Sequence, residues 1–301
     1  MQPLKFVKMH GLGNDFVMVD CLQNPLPPEE SLERLSEAIC DRNFGVGGDG
    51  LIFILPDSEA DFRMRMFNPD GSESEMCGNG IRCFGKYLFD RGLVDAKAVS
   101  VATMQGLQHI EIDSNARRGD STIKVRVDMG VPRLLRSQIP MLQGDSDVID
   151  QQVISQPLLV GDTTLSITAV SMGNPHCVIF VDDVESVALK ELGLQIEHHV
   201  AFPARTNVHF VQVLGPHKLW MRTWERGAGD TLACGTGACA VTVATALNGL
   251  LPSNDRHALV HLPGGDLDIE WAYNNKVYMN GPATTVFSGE FDQEFLQGVG
   301  L

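Results

Sequence analysis

Residues 76–85 read MCGNGIRCFG and residues 233–242 read ACGTGACAVT, so each half of the chain carries a Cys-Gly-x-Gly tetrad opening a helix-compatible run. Cys77 and Cys234 stand 157 residues apart, and other features keep nearly the same register. An aromatic residue lies ten positions before each Cys, Phe67 in FNPDGSESEMC and Trp224 in WERGAGDTLAC, and a polar residue, Asn68 or Glu225, follows it. Asn14 in GLGNDFV and Asn174 in MGNPHCV each precede an apolar run, 160 residues apart. Self-similarity at a fixed period is a signature of duplicated architecture. The expected fold class is therefore α/β of the α+β kind. It has two pseudo-symmetric domains, each of strands wrapped around one buried helix with its Cys at the helix start.

The bulk properties fit that reading. A chain of 301 residues exceeds the length at which one core usually stops growing, which favours two domains of roughly 150 residues. Alternating or apolar runs suited to strands (FVMVD, GLIFI, FRMRMF, TIKVRVD, HCVIFV, NVHFVQV, LWMRTW) are divided by Gly, Asn, Asp and Pro turns. PPEESLERLSEAICDR, residues 27–42, places Leu32, Leu35 and Ile39 on one face of an amphipathic surface helix. The run after Cys234, residues 235–247, is Ala, Val, Thr and Cys nearly all round and predicts a buried helix. Its counterpart after Cys77 carries Arg82 and Lys86, which predicts one side reaching water. Cys83 and Cys239, inside these helices, read as core.

A net charge of −15 argues against nucleic-acid and anionic-membrane partners and leaves a small molecule as the expected ligand. The N-terminal stretch lacks the features of a signal peptide, and no apolar run reaches the ~18 residues of a membrane span, so a cytoplasmic location is expected. Seven cysteines without a CxxC pair read as reduced thiols. GVGGDG (45–50) and GTGACA (235–240) match dinucleotide-loop spacing. The first precedes a strand-like run, however, and no strand directly precedes the second, so the match is weak. GIRCFGKY (80–87) lacks the Ser or Thr of a phosphate-binding loop.

A thiol at a helix N-terminus sits among unpaired N–H groups and the positive end of the helix dipole, which lowers Cys pKa values from ~8.5 to ~3.5–7.5. The same N–H groups bind carboxylates. Two such ends facing one cleft suit inversion of a stereocentre, one Cys removing an α-proton and the other delivering a proton to the opposite face.

With KMHGLGNDF, FNPDGSESEMCGNGIRCF, VSMGNPHCV, WERGAGDTLACGTGACA and LPGGDLDIEW, the chain resembles the diaminopimelate epimerase family over nearly its whole length. The resemblance implies interconversion of LL- and meso-diaminopimelate on the route to lysine and, in bacteria, to peptidoglycan precursors, without metal or cofactor. It makes Cys77 and Cys234 the acid/base pair, with the reacting carboxylate on the backbone N–H groups of Gly78, Asn79, Gly235 and Thr236. Asn68, Asn174, Asn207, Glu225 and Arg226 then hold the distal end, Asn14 lies near the reacting amino group, and His176 and Glu225 help set the thiol states. It further implies a homodimer with Tyr278 at its interface, and a first domain of residues 1–130 joined by a strand returned from 276–301, the second being 131–275, each a curved, mostly antiparallel sheet or barrel around a central helix. Many family members carry Gln where this chain has Gly50, so that contact is not expected here. The alternatives are a racemase of another amino acid on the same fold and a thiol-redox or small-ligand protein. Taken singly, the four asparagines read as turn formers and His176 as a hydrogen-bonded strand histidine.

Overall fold

Apolar residues at both parities of a strand require cover on both faces, and that requirement organises each half of this protein. A computed structural model describes residues 4–95, 98–142 and 150–300. The chain forms two compact units, Met1–Val127 with Gly281–Leu301, and Asp128–Asn280.

The first unit contains β1 (Leu4–Gly11), β2 (Asn14–Asp20), α1 (Leu32–Cys40), β3 (Gly50–Leu55), β4 (Phe62–Phe67), β5 (Glu73–Ser74), α2 (Gly78–Asp90), β6 (Ala98–Thr103), β7 (Gly106–Ile112) and β8 (Thr122–Asp128). The second contains β9 (Gln156–Val160), β10 (Thr163–Ser171), β11 (Pro175–Phe180), α3 (Leu189–Glu197), β12 (Asn207–Gly215), β13 (Lys218–Glu225), β14 (Gly229–Thr231), α4 (Gly235–Leu247), β15 (His257–Leu262) and β16 (Gly265–Trp271). Strand β17 (Val277–Phe291) starts in the second unit and continues into the first, followed by α5 (Gln293–Gly298).

In the first unit β1–β2–β3–β4–β6–β7–β8–β17 close a ring of eight strands, β17 pairing with both β8 and β1. The β2–β3 and β4–β6 neighbours are parallel, while β1–β17, β1–β2, β3–β4, β6–β7 and β7–β8 are antiparallel. The second unit repeats this order: β10–β11, β12–β13, β15–β16 and β16–β17 are antiparallel, while β11–β12 and β13–β15 are parallel. Each parallel junction requires a crossover, and α1, α2, α3 and α4 supply the four.

The crossovers cover the two sheet faces. Val17, Val19, Leu51 and Phe53 pack with Leu32, Leu35 and Ile39 of α1. The alternate residue Ile52 meets Gly80 of α2, near Phe16. In the second unit Cys177, Ile179, Val208 and Phe210 pack with Leu189 and Ile196 of α3. His176, Asn207, His209, Thr223 and Glu225 therefore share the opposite parity, the face of α4. The helix itself is buried from Gly235 to Thr245 except at Thr236. Its Thr242 and Thr245 hydroxyls donate to the Ala238 and Val241 carbonyls, which satisfies them inside the core.

The expected wet side of α2 is absent: Arg82 and Lys86 are both 0% exposed. Arg82 donates to the Gly78 carbonyl (3.2 Å), Asn79 Oδ1 (2.9 Å) and the Pro282 carbonyl on β17 (3.2 Å). Lys86 donates to Asp90 (2.8 Å) and to the Asp120 carbonyl (2.7 Å). A buried cation is tolerated when its donors are used, and here they tie the central helix to the closing strand and the loop before β8. Cys83 and Cys239 are core, both 0% exposed.

Candidate active site

Each Cys of a Cys-Gly-x-Gly tetrad is the N-cap of its helix, Cys77 at φ −132°, ψ 120° and Cys234 at φ −121°, ψ 105°. Neither Cys caps its helix through its side chain, and neither first turn contains an acidic residue. The first-turn amides of Gly78 and Asn79, and of Gly235 and Thr236, are therefore placed at positive helix ends that suit an anion.

Around Cys77 the polar contacts converge on one amide. Asn14 Oδ1 accepts from Asn79 Nδ2 (3.0 Å) and from the Cys77 thiol (3.7 Å). Asn14 Nδ2 donates to Asp49 (2.7 Å), which also accepts from the Asp15 N–H and pairs with Arg42. Asp49 thus fixes which way the Asn14 amide points, a role its sequence position did not suggest. Asn68 sits in the turn after β4, where its Nδ2 donates to the Ser72 hydroxyl (3.0 Å). Gly50 opens β3, and a Cβ there would lie 2.8 Å from Met66 Cε and 3.1 Å from the Phe67 carbonyl oxygen. A side chain at this position would have to displace the Met66 methyl and press on the Phe67 carbonyl.

Around Cys234 the expected residues gather more closely. Cys234 is 4% exposed. Its sulfur lies 3.7 Å from the Thr236 hydroxyl, which accepts from Asn174 Nδ2 (3.4 Å). Asn174 Oδ1 meets His176 Nε2 at 2.8 Å. Burial pushes the Cys234 thiol well up and the adjacent Glu225 carboxylate adds to it, while the Gly237 N–H and the Thr236 hydroxyl pull the other way. The lowering expected from the helix end alone is thus reversed at Cys234, because desolvation of a thiolate outweighs one turn of dipole.

Glu225 ends β13 and accepts from Thr231 (2.6 Å). Arg226 lies in the following turn, where Gly227 (φ 80°) and Gly229 (φ 78°) take the left-handed backbone, so Glu225 and Arg226 escape strict strand alternation. Asn207 braces that turn: its Oδ1 accepts from the Arg226 N–H (2.9 Å) and its Nδ2 donates to the Pro175 carbonyl (3.0 Å). The Arg226 guanidinium donates to the Ala204 carbonyl (2.9 Å). Glu197 of α3, 3% exposed, holds the same turn through the Gly227 N–H (3.1 Å) and Trp224 Nε1 (2.8 Å). Tyr278 on β17 accepts from Asn274 Nδ2 (3.1 Å).

His209 is the largest omission from the sequence reading. It is 0% exposed, its Nε2 is 2.8 Å from His176 Nδ1, and its Nδ1 is 2.9 Å from the Thr223 hydroxyl. Strand parity with Asn207, combined with the duplication, was the available signal. Burial pushes His209 down to about 3, and burial with neighbouring His209 and Arg226 holds His176 well below its ordinary value. For a histidine lowered on folding, the unfolded chain binds the extra proton, so stability is full above ~6.5 and declines as pH falls toward the folded value. The expected loss from His209 alone is about 2 kcal/mol at pH 5 relative to pH 7. Urea melts at the two pH values check it, and His209→Gln should flatten the difference by that amount.

Among the described residues, one group brings three metal-ligand atoms within 4.8 Å of one another, His217, Asp255 and His257, and it includes none of the residues above. No helix among the described residues is long and apolar enough to cross a membrane.

Comparisons to known proteins bear on the family of the whole chain. The family model for diaminopimelate epimerase matches residues 6–135 and 168–286. The chain is 53% identical to a diaminopimelate epimerase of Pelotomaculum thermopropionicum, over 96% of this chain and 99% of the relative. It is 51% identical to one of Heliobacterium modesticaldum, over 95% and 99%. Among solved structures, a hydroxyproline epimerase from Agrobacterium vitis superposes with a TM-score of 0.69 at 14% identity, covering 100% of this chain and 95% of its own. A Bacillus anthracis phenazine biosynthesis protein of the PhzF family gives 0.67 at 17%, covering 97% and 100%. At such identities the superpositions speak to fold alone. The sequence matches go further, for they run through both Cys-Gly-x-Gly tetrads and almost the full length: the chain belongs to the diaminopimelate epimerase family.

Proposed function

We propose that this protein is a diaminopimelate epimerase, an isomerase that interconverts LL- and meso-2,6-diaminopimelate with Cys77 and Cys234 as its two acid/base groups. One sulfur takes the α-proton as a thiolate, the electron pair passes into the substrate carboxylate, and the other gives its thiol proton to the opposite face. The roles exchange with direction. The observation that carries this reading is the pair of N-cap cysteines, each heading a buried helix inside the same strand order, in a chain of this family.

In this reading the carboxylate at the reacting centre rests on the N–H groups of Gly78, Asn79, Gly235 and Thr236, which stabilise the charge that develops as the proton leaves. Asn14 serves the reacting amino group. Asn68, Asn174, Asn207, Glu225 and Arg226 take the distal carboxylate and ammonium, Arg226 by a planar fork and Glu225 as counter-charge. His176 and Glu225 set the thiol states. The proton transfers draw on protein groups alone. Residues 1–130 with 276–301, and 131–275, are the two related epimerase domains, each carrying one of the two acid/base cysteines. The enzyme works in the cytoplasm as a homodimer, with Tyr278 at the interface and no nucleic-acid or membrane partner, supplying lysine and peptidoglycan precursors.

Incubation with LL-diaminopimelate in deuterated water tests the activity. One deuterium per turnover should enter at a single α-carbon as meso product appears. Exchange on a different amino acid with none on diaminopimelate would replace this reading by a racemase of that amino acid.

A further inference from the structure

The two halves use one scaffold but line it differently behind the two cysteines. In the first unit the register pairs Phe16 with Gly50 and Ile52 with Met66. In the second it pairs His176 with Asn207 and His209 with Thr223. Phe16, Ile52 and Met66 thus correspond strand for strand to His176, His209 and Thr223. The second glycine of each tetrad confirms the match: a Cβ on Gly80 would meet Ile52 Cδ1 at 2.9 Å, and one on Gly237 would meet His209 Cε1 at 2.4 Å. Three apolar side chains stand behind Cys77, and three hydrogen-bonding ones stand behind Cys234.

Burying polar groups where apolar ones fit is costly unless every group is paired, and these are paired in one line. It runs from Thr223 Oγ1 to His209 Nδ1 (2.9 Å), His209 Nε2 to His176 Nδ1 (2.8 Å), His176 Nε2 to Asn174 Oδ1 (2.8 Å), Asn174 Nδ2 to Thr236 Oγ1 (3.4 Å) and Thr236 Oγ1 to Cys234 Sγ (3.7 Å). We infer that His209 is a positioning residue which, through His176 and Asn174, aims the Thr236 hydroxyl at the sulfur of Cys234. The inference rests on the reading of Cys234 as one of the two acid/base groups.

Donor and acceptor capacities fix the direction. A neutral imidazole has one N–H and one lone pair, and an amide oxygen only accepts. Asn174 Oδ1 therefore takes the proton of His176 Nε2, which leaves Nδ1 as an acceptor. His209 must then donate from Nε2, and its Nδ1 accepts from the Thr223 hydroxyl. At the other end Asn174 Nδ2 donates to Thr236 Oγ1, so the Thr236 proton is left for the sulfur. No proton moves along this line. It holds an O–H dipole where negative charge appears when Cys234 gives its proton to the substrate. Glu225 is the charged group facing that sulfur, and Arg226 acts on His176 from the adjoining turn. Burial keeps both imidazoles neutral, as the line requires, since a second proton on His176 would set a donor against a donor.

Ring ¹⁵N spectra of the full-length protein at neutral pH test the direction without reference to activity. Both His176 and His209 should be Nε2–H tautomers. An Nδ1–H tautomer at either would reverse the line and overturn the inference. The kinetic arm uses two variants: His209→Gln places an amide N–H near the Nε2 position, whereas His209→Asn reaches only the Nδ1 position. His209→Asn should lower kcat/KM about tenfold and move one limb of its pH profile to higher pH by about one unit, since one unit is the loss of one hydrogen bond's worth of thiolate stabilisation. His209→Gln should stay within about threefold of the parent with its limbs unmoved. Equal losses in both variants with unmoved limbs would mean that His209 only fills space. Absence of deuterium exchange in the parent protein would remove the epimerase reading and leave the tautomer result standing.

Discussion

Cys77→Ala and Cys234→Ala are each expected to lower turnover of LL-diaminopimelate by about a thousandfold or more, while the protein still melts cooperatively. The size follows from the chemistry. A positioned acid or base contributes 10²–10⁴-fold, and inversion requires one of each on opposite faces, so the remaining Cys cannot serve both. With one sulfur gone, either no group abstracts the α-proton in a given direction or none returns a proton to the other face. The equilibrium constant between the two isomers is fixed, so kcat/KM must fall by the same factor in both directions in each variant. The folding cost is held to about 1 kcal/mol, the usual cost of losing an N-cap side chain, because the side-chain contacts of each sulfur are long, 3.7 Å to Asn14 Oδ1 and 3.7 Å to the Thr236 hydroxyl. Coupled-enzyme assay or chiral separation of the isomers checks the rate, and circular dichroism checks the fold. Turnover within tenfold of the parent in either variant would refute the two-base assignment.

The elements most legible in the sequence were those whose burial pattern is set locally. Strands such as FVMVD and NVHFVQV are apolar at both parities because α1 or α3 covers one face and α2 or α4 the other, and that doubling is visible in a single chain. The helix from Gly235 to Leu247 was bounded correctly because a run of Ala, Val, Thr and Cys has no face to give to water. Its twin was misjudged at Arg82 and Lys86, because a charge in a helix reads as solvated unless its partners are known, and those partners lie at Asn79, Asp90, Asp120 and Pro282. The site divides in the same way. Residues inside quoted motifs, such as Asn174, His176 and Thr236, were found, and the structure links them. Asp49, Glu197 and His209 act through contacts tens of residues away in sequence, and no local pattern marks them. His209 was reachable only by combining strand parity with the duplication, which would have set it opposite Ile52.

The space beside the second tetrad glycine of the second unit is filled by the protein itself, by the His209 ring. Gly237→Ala is therefore expected to injure both stability and activity. An added Cβ would lie 2.4 Å from His209 Cε1 and 3.0 Å from both His209 Nε2 and Cys234 Sγ. The His209 ring cannot swing away, because hydrogen bonds to His176 and Thr223 hold its two nitrogens. Alanine gains about 1 kcal/mol of helix propensity over glycine, but overpacking a rigid contact costs about 1–3 kcal/mol, so the net change is a loss of up to about 2 kcal/mol. The displaced ring also breaks the line to Cys234, and kcat/KM should fall tenfold or more. Gly80→Ala is the internal comparison. There the Cβ meets the tip of Ile52, Cδ1, at 2.9 Å, which another rotamer relieves, so the propensity gain should roughly cancel the contact and leave the melting midpoint near the parent's. Urea melts of the two variants decide the matter: equal loss at both sites, or none at Gly237, would mean that the ring behind Cys234 is no more rigid than the aliphatic chain behind Cys77.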